Sequence, residues 1–391
     1  MSNSFASRHR ELFGLFTSLA LIACNGIFGT VAMAEPSASL AADSSATVQN
    51  GASPAGHFGH YFSTHYSDTP QTAAMLCEKP GVTGVVWRQA WSQVETAPGK
   101  YNFQSFDTVL RTIAASRKPN CQLFVFVEFK SFNNSPVKNP CPTNLRAQHS
   151  GLNAFGNGAA TCFMWDPVVR DAYISMIKAA AQHFRSNPHV EGYIIQESAL
   201  GFSGKYSQDK GSGGTYTPMA WRDSLISIIS ECSSAFSNKR CMAFINFLRG
   251  NQSYIADISA AIAAVPNNRA CISGPDLLPN EPALYKGNDA PYPVIARHPG
   301  CRSISAQNAS YHVPGCSVDC IFDFAVGGTL GVFSDSFPHK GGLCVNSYIF
   351  WNDKLKKSPN GQGWEDALHV MASHPYGRSW FSQCAGNDGP P

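Results

Sequence analysis

Short apolar runs alternate with amphipathic stretches along most of this chain, the pattern of a parallel sheet wrapped by helices. The runs that read as strands are GHYFST near 59–64, GVVWRQ at 84–89, QLFVFVEF at 122–129 and GYIIQE at 192–197. They continue with CMAFINF at 241–247, ACISGP at 270–275, SISAQN at 303–308 and SYIFWN at 347–352. Between them, helices are expected over SFDTVLRTIAAS, VVRDAYISMIKAAAQHF, WRDSLISIISECSSAF, YIADISAAIAAV and GWEDALHVMASH. In the second of these, Val169, Tyr173, Met176, Ile177 and Ala180 recur at helical spacing and form one apolar face. Eight strands with helices between them predict an α/β fold, a (β/α)8 TIM barrel. No Gly-x-Gly-x-x-Gly follows the first strand, so a doubly wound dinucleotide-binding sheet has no support.

In such a barrel the chemistry gathers at the C-terminal strand ends. Those ends carry Trp87 and Arg88, Glu128 and Lys130, Gln196 and Glu197, Asn246, Asp276, Gln307 and Tyr311, and Trp351 with Asn352 and Asp353. The stretch VEGYIIQESALGF is the sharpest case, because Glu197 follows directly on an apolar run that reads as a buried strand. It is either a solvated turn residue or an acid placed at the rim of the barrel.

Composition narrows the classes. Charged residues make up 14% of the 391 and the formal net charge is +3, with no basic block, which argues against nucleic acid as partner. Seven Trp, 13 Tyr and 25 Phe make the chain rich in aromatics. Arg8 and Arg10 precede a long apolar stretch ending in Ala32-Met33-Ala34, which reads as a signal peptide over 1–34 with cleavage near Ala34. A lipoprotein signal ending at Cys24 and an uncleaved anchor are the alternatives. Cleavage leaves twelve of the 13 cysteines, and no Cys-x-x-Cys metal spacing occurs, so disulfides in an oxidising compartment are expected. Residues 35–55 are rich in Ala, Ser and Gly and read as a disordered leader, leaving 56–391 as one barrel domain with disulfide-stapled, elaborated loops. The expected product is a secreted or periplasmic monomer.

Two stretches then resemble a known group. WRQAWSQVETAPGKYNFQSFDTVL, with Glu95, Gly99, Tyr101, Phe103 and Asp107 in place, resembles the second strand and helix of clan-A retaining glycoside hydrolases. WDPVVRDAYISMIKAAAQHFRSNPHVEGYIIQES is similar to their third helix and fourth strand, and SYIFWND to their eighth strand. The resemblance implies a secreted hydrolase of O-glycosidic bonds in a polysaccharide or oligosaccharide, with no cofactor. It implies that Glu197 is the general acid, that Arg88 orients the reactive sugar and that Trp351 stacks against it. Trp87, Glu128, Gln196, Asn246, Gln307 and Tyr311 are expected to complete the substrate site.

The departures are specific. Gln196 stands directly before the acid, where the group usually has Asn. Gln307 stands at the end of the seventh strand, where the group has its nucleophilic Glu. An amide cannot form a glycosyl ester, and hydrolysis requires a nucleophile or a base to activate water. A second carboxylate from Asp276, Glu128 or Asp353 resolves this, with Asp276 preferred. So does a misplaced seventh strand that makes Asp335 available. Otherwise the barrel binds glycans without cleaving them, or docks to other proteins through an apolar patch. His57, His60 and His65 cluster near the first strand, but no nearby carboxylate completes a ligand set, and no metal is expected. GFSGK lacks nucleophile-elbow spacing, and GSGG has no Gly-Lys-Ser/Thr after it.

Overall fold

The computed structural model describes residues 56–201, 216–248, 251–307, 309–327, 342–352, 363–377 and 380. The expected signal peptide and leader lie outside the described residues, as do Asn308, Asp335, Asp353 and most of GFSGK.

Eight parallel strands close into a barrel. They are β1 (Gly59–Ser63), β2 (Val82–Ala90), β3 (Gln122–Glu128), β4 (Val190–Ile195), β5 (Arg240–Phe244), β6 (Ala270–Gly274), β7 (Arg302–Ala306) and β8 (Tyr348–Asn352). Each strand pairs with its neighbours in sequence, and β8 closes the ring against β1, with Gly59 opposite Tyr348 and Ser63 opposite Asn352. Every strand is followed by a helix. These are α1 (Pro70–Cys77), α2 (Gln104–Ala114), α3 (Pro167–Phe184), α4 (Pro218–Ala235), α5 (Tyr254–Ala263), α6 (Pro291–Arg297), α7 (Val318–Val326) and α8 (Trp364–Ser373).

The alternation of side chains along each strand builds two apolar layers. Tyr61, Val86, Phe124, Phe126, Ile194, Met242, Phe244, Tyr348 and Phe350 point inward and fill the barrel. Edge-to-face contacts between Tyr61 and Phe124 (5.1 Å) and between Phe124 and Tyr348 (5.2 Å) pack its lower part. The residues between them, such as Phe62, Val85, Val125 and Ile195, point outward against the helices. Gly192 is required by close packing, because a side chain there would run into the backbone carbonyl of Arg240 on β5.

Helices α1, α6 and α7 escape the sequence expectation for identifiable reasons. The helix α1 is short, and Thr69 with Pro70 at its first position supplies its start. Pro291 and Pro293 make α6 read as a loop, yet both fall in the first turn, where a helix needs no proline N–H. For α7, Ser317 caps the N-terminus and Gly327 ends the helix in the left-handed conformation at φ 96°. Disulfides join Cys77 to Cys121, Cys141 to Cys162, Cys232 to Cys241, Cys271 to Cys301 and Cys316 to Cys320, as the cysteine usage predicts. Among the described residues, no helix is long and apolar enough to cross a membrane.

Candidate active site

A cleft opens where the strands end. Phe126 and Phe244 form its floor, 6.1 Å apart between ring centroids, continuous with the inner barrel layer. Ser63, Arg88, Gln196, Glu197, Gln307 and Asn352 supply most of its polar lining. Ser63, Arg88, Gln196, Gln307 and Asn352 follow the inward positions of their strands, so the period of two that fills the barrel also points them towards the cleft, whereas Glu197 has the outward parity and reaches it only because the chain has left β4.

Glu197 lies two residues beyond β4 and is largely buried. Its Oε1 accepts a charge-assisted bond of 2.5 Å from the Nζ of Lys130, whose side chain is fully buried. The ammonium also donates to the Ala199 carbonyl, and it sits 5.0 Å from the Phe132 ring and 5.4 Å from that of Phe155. Three acceptor-like faces thus hold one cation beside the carboxylate.

Asn246, just past β5, completes the arrangement. Its Nδ2 donates to Glu197 Oε2 at 2.9 Å and to Asp276 Oδ2 at 2.8 Å. Its Oδ1 accepts from the Phe247 backbone N–H at 2.9 Å, which sets the amide orientation and aims both N–H groups at carboxylates. Ser198 holds the Asn246 backbone in turn, donating to its carbonyl and accepting from its N–H. Because both bonds start from one nitrogen, the two acceptor oxygens stand no more than about 5.7 Å apart (2.9 plus 2.8 Å), compatible with the ~5–5.5 Å of a retaining pair and short of the ~6.5–9.5 Å of an inverting one. Asp276 follows β6, and its carboxyl is pushed up to about 7 from the usual 3.8. Burial is the main cause and the charge of Glu197 the second, while the Asn246 bond and Lys130 pull the other way.

Arg88 lines the cleft and is paired from behind with the buried carboxylate of Glu128, which also accepts a 3.0 Å bond from the Tyr66 hydroxyl. Burial is the largest single influence and works against the Arg88 charge, but the Glu128 charge, Tyr66, the Glu128 hydrogen bond and the Glu197 charge together outweigh it and raise the guanidinium above its ordinary value. Glu128 therefore serves Arg88. Gln307 reaches the rim at the end of β7 and donates to the Pro275 carbonyl at 2.6 Å, next to Asp276. Gln196 borders the cleft, but its amide mainly ties β4 to the segment after β3. Its Oε1 accepts from the N–H groups of Phe129 and Lys130, and its Nε2 donates to the Lys130 carbonyl.

Three expected substrate contacts point elsewhere. Trp87 and Trp351 occupy outward positions in the strand–helix layer, because they alternate with the inward Arg88 and Phe350. The Trp87 indole donates to Ser105 on α2, and the Trp351 indole, fully buried, donates to His60 Nδ1 at 3.1 Å. Neither indole floors the cleft. Tyr311 is buried in the same outer layer and donates to the Asn352 carbonyl at 3.2 Å. The histidines near β1 also separate. His60 Nε2 meets the His374 carbonyl, while His57 pairs with Glu191, and among the described residues no group of three side chains could hold a metal ion.

The sequence reading did not select Lys130 as a site residue, nor Phe132, Phe126 or Phe244. Lys130 stands at the end of the third strand, two positions after Glu128, so alternation places it on the inward side. Its pairing with Glu197 depends on the β3–β4 adjacency, which no local pattern contains.

No protein-family model matches the chain, and no curated protein matches it. Among solved structures it is similar to endoglycoceramidase II from Rhodococcus sp., at 16% identity and a TM-score of 0.47, covering 80% of this chain and 78% of that one. It is also similar to an exo-beta-1,4-mannosidase from Opitutaceae bacterium strain TAV5, at 14% identity and a TM-score of 0.45, covering 81% of this chain and 60% of that one. A beta-galactosidase from the psychrophilic Marinomonas ef1 is similar at 11% identity and a TM-score of 0.47, covering 80% of this chain and 59% of that one.

Proposed function

We propose that this chain is a glycoside hydrolase, cleaving O-glycosidic bonds of a polysaccharide or oligosaccharide with Glu197 and Asp276 as its two working carboxylates. The observation that carries the reading is the single amide of Asn246 bonded to both. Glycoside hydrolysis needs one carboxyl to give a proton and another to stabilise or attack the anomeric carbon, and a spacing of no more than about 5.7 Å suits direct attack with retention. Acids this close are not independent, and the charge of Glu197 helps to raise the Asp276 carboxyl. The solved structures named above are of enzymes whose printed names are those of glycosidases, in keeping with this reading.

The surrounding cleft suits a sugar. Arg88, Gln307, Asn352, Ser63 and Ser305 offer donors and acceptors to hydroxyl groups, while Phe126, Phe132 and Phe244 offer apolar faces. Gln307 favours a second reading, a barrel that binds glycans without hydrolysis, because the end of β7 bears an amide. Asp276 on the neighbouring strand answers that objection by supplying the missing acid. The disulfides and the N-terminal apolar stretch fit export to the periplasm or the medium, where a monomeric enzyme would meet extracellular or envelope glycans.

Reducing-end release from a panel of bacterial and plant polysaccharides tests the proposal. Wild type is expected to release sugar, and Glu197→Gln and Asp276→Asn to lose at least ~10²-fold. Full activity in both variants would remove the two-carboxylate mechanism, and glycan binding without release by wild type would establish the second reading.

A further inference from the structure

The resemblance in sequence assigns the proton-donor role to Glu197, but the side chains around it argue otherwise. A general acid has to be protonated when substrate arrives, whereas a nucleophile has to be an anion. Glu197 Oε1 receives a 2.5 Å bond from an ammonium that is itself fully buried, and Oε2 receives the Asn246 amide. Both of its oxygens therefore face donors, an arrangement made for a carboxylate and costly for a carboxylic acid, whose own O–H would need an acceptor. Among the described residues, Asp276 has no cation in hydrogen-bond contact. Its Oδ2 takes the other Asn246 N–H, and the charge of Glu197, across that amide, acts on it more strongly than that of Lys130.

We propose that Glu197 is the nucleophile and Asp276 the proton donor, with Lys130 as the positioning residue that keeps Glu197 anionic and aimed. The inference rests on the reading of this cleft as a glycosidase site, and it inverts the roles that the sequence resemblance implies. In the first step a Glu197 oxygen bonds to the anomeric carbon as the bond from that carbon to the leaving oxygen breaks, and the Asp276 proton passes to the leaving oxygen. In the second step Asp276, now a carboxylate, takes a proton from water as the water oxygen bonds to the anomeric carbon. The ester bond to Glu197 breaks, and both side chains return to their starting states. The elevated carboxyl of Asp276 agrees with the donor role.

Among the described residues, the charges facing the pair have identifiable roles. Lys130 and Arg88 favour the Glu197 anion, Glu128 is spent on Arg88, and the Tyr292 hydroxyl donates to the Asp276 backbone carbonyl. Removing the Lys130 charge would raise the Asp276 carboxyl, which it holds down, and would take from Glu197 the cation bonded to its Oε1.

The decisive experiment uses the wild-type protein. It is incubated with dinitrophenyl glycosides of glucose, galactose and mannose and their disaccharides, whose leaving group needs no protonation, and with the matching 2-fluoro sugars, which slow hydrolysis of a glycosyl ester. Peptide mass mapping is expected to find the fluorosugar on Glu197. A label on Asp276 or another residue would overturn the assignment while keeping the enzyme a glycosidase. Dinitrophenolate release with no adduct on any 2-fluoro sugar would overturn the covalent role of Glu197. No release from the whole panel would overturn the glycosidase reading itself. A second measurement addresses Lys130 separately: in Lys130→Met the acidic limb of the kcat/KM profile on the turned-over dinitrophenyl glycoside, which reports the nucleophile, is expected to move to higher pH by about one unit or more. An unmoved profile would reduce Lys130 to a packing residue.

Discussion

Lys130→Met is the perturbation whose magnitude follows most directly from the structure. Methionine keeps much of the length and apolar bulk of lysine and still packs between Phe132 and Phe155, so the change chiefly deletes a charge. What remains is Glu197, largely buried and left with the Asn246 amide as its close donor. Breaking a buried ion pair costs about 3–5 kcal/mol. The Glu197 side chain is 11% exposed and borders the cleft, so water recovers part of that cost. The expected loss is about 2–3 kcal/mol of unfolding free energy at neutral pH. Urea denaturation of four proteins measures it: wild type, Lys130→Met, Glu197→Gln and the double variant. The double variant is expected to recover at least ~1.5 kcal/mol of the loss, because an amide needs no counter-charge. A single variant within ~0.5 kcal/mol of wild type, or purely additive effects, would refute the view that this pair is energetically coupled.

Other predictions come from the same geometry. Trp351→Phe is expected to cost about 1–2 kcal/mol through the lost His60 bond and the shrunken side chain, while leaving oligosaccharide affinity unchanged by calorimetry. A large loss of affinity would return the indole to the cleft. Asp276 carries a carboxyl raised to about 7 in the folded protein, so its contribution to stability is present below about pH 4 and is lost as pH rises through about 7. Asp276→Asn should therefore gain stability relative to wild type between pH 5 and pH 8, read from paired denaturation curves, and a constant difference would count against the raised value. The Cys77–Cys121 bridge spans 44 residues and ties the end of α1 to the entry of β3. Replacing both cysteines with serine is expected to lower unfolding free energy by about 4 kcal/mol, and an unchanged denaturation midpoint would contradict this.

The barrel was legible because its strands are unbroken apolar runs, and such runs survive without any knowledge of neighbours. The run GYIIQE lies within two residues of β4, and QLFVFVEF contains β3 whole. Positions directly past the strand ends were legible too, which is how Glu197, Asn246, Asp276 and Gln307 came to be singled out. The facing of residues inside a strand was not. Trp87 and Trp351 each sit one residue from an inward position, and a shift of one flips the side chain to the other layer. An aromatic at a strand end looks the same in sequence whether it floors a sugar or packs a helix.

Partnership was the least legible property. Glu197 meets Lys130 across 67 positions and Asn246 across 49, and each contact exists only because the barrel brings adjacent strand ends together. Read alone, Glu197 looks like an acid waiting for a proton. Beside a buried ammonium it is an anion, and the proton belongs to Asp276. The residue types at the rim could be read from the chain, while their division of labour required the ring of strands.

The central claim is that two carboxylates held by one amide work on a single glycosidic bond. Proton NMR of the first sugar released by wild type from the glycoside it turns over tests that claim most directly. With the pair no more than about 5.7 Å apart, the product is expected to appear first with the anomeric configuration of the substrate, before mutarotation. First appearance of the inverted anomer would contradict the account, because it requires room for a water molecule that the bridged pair does not leave.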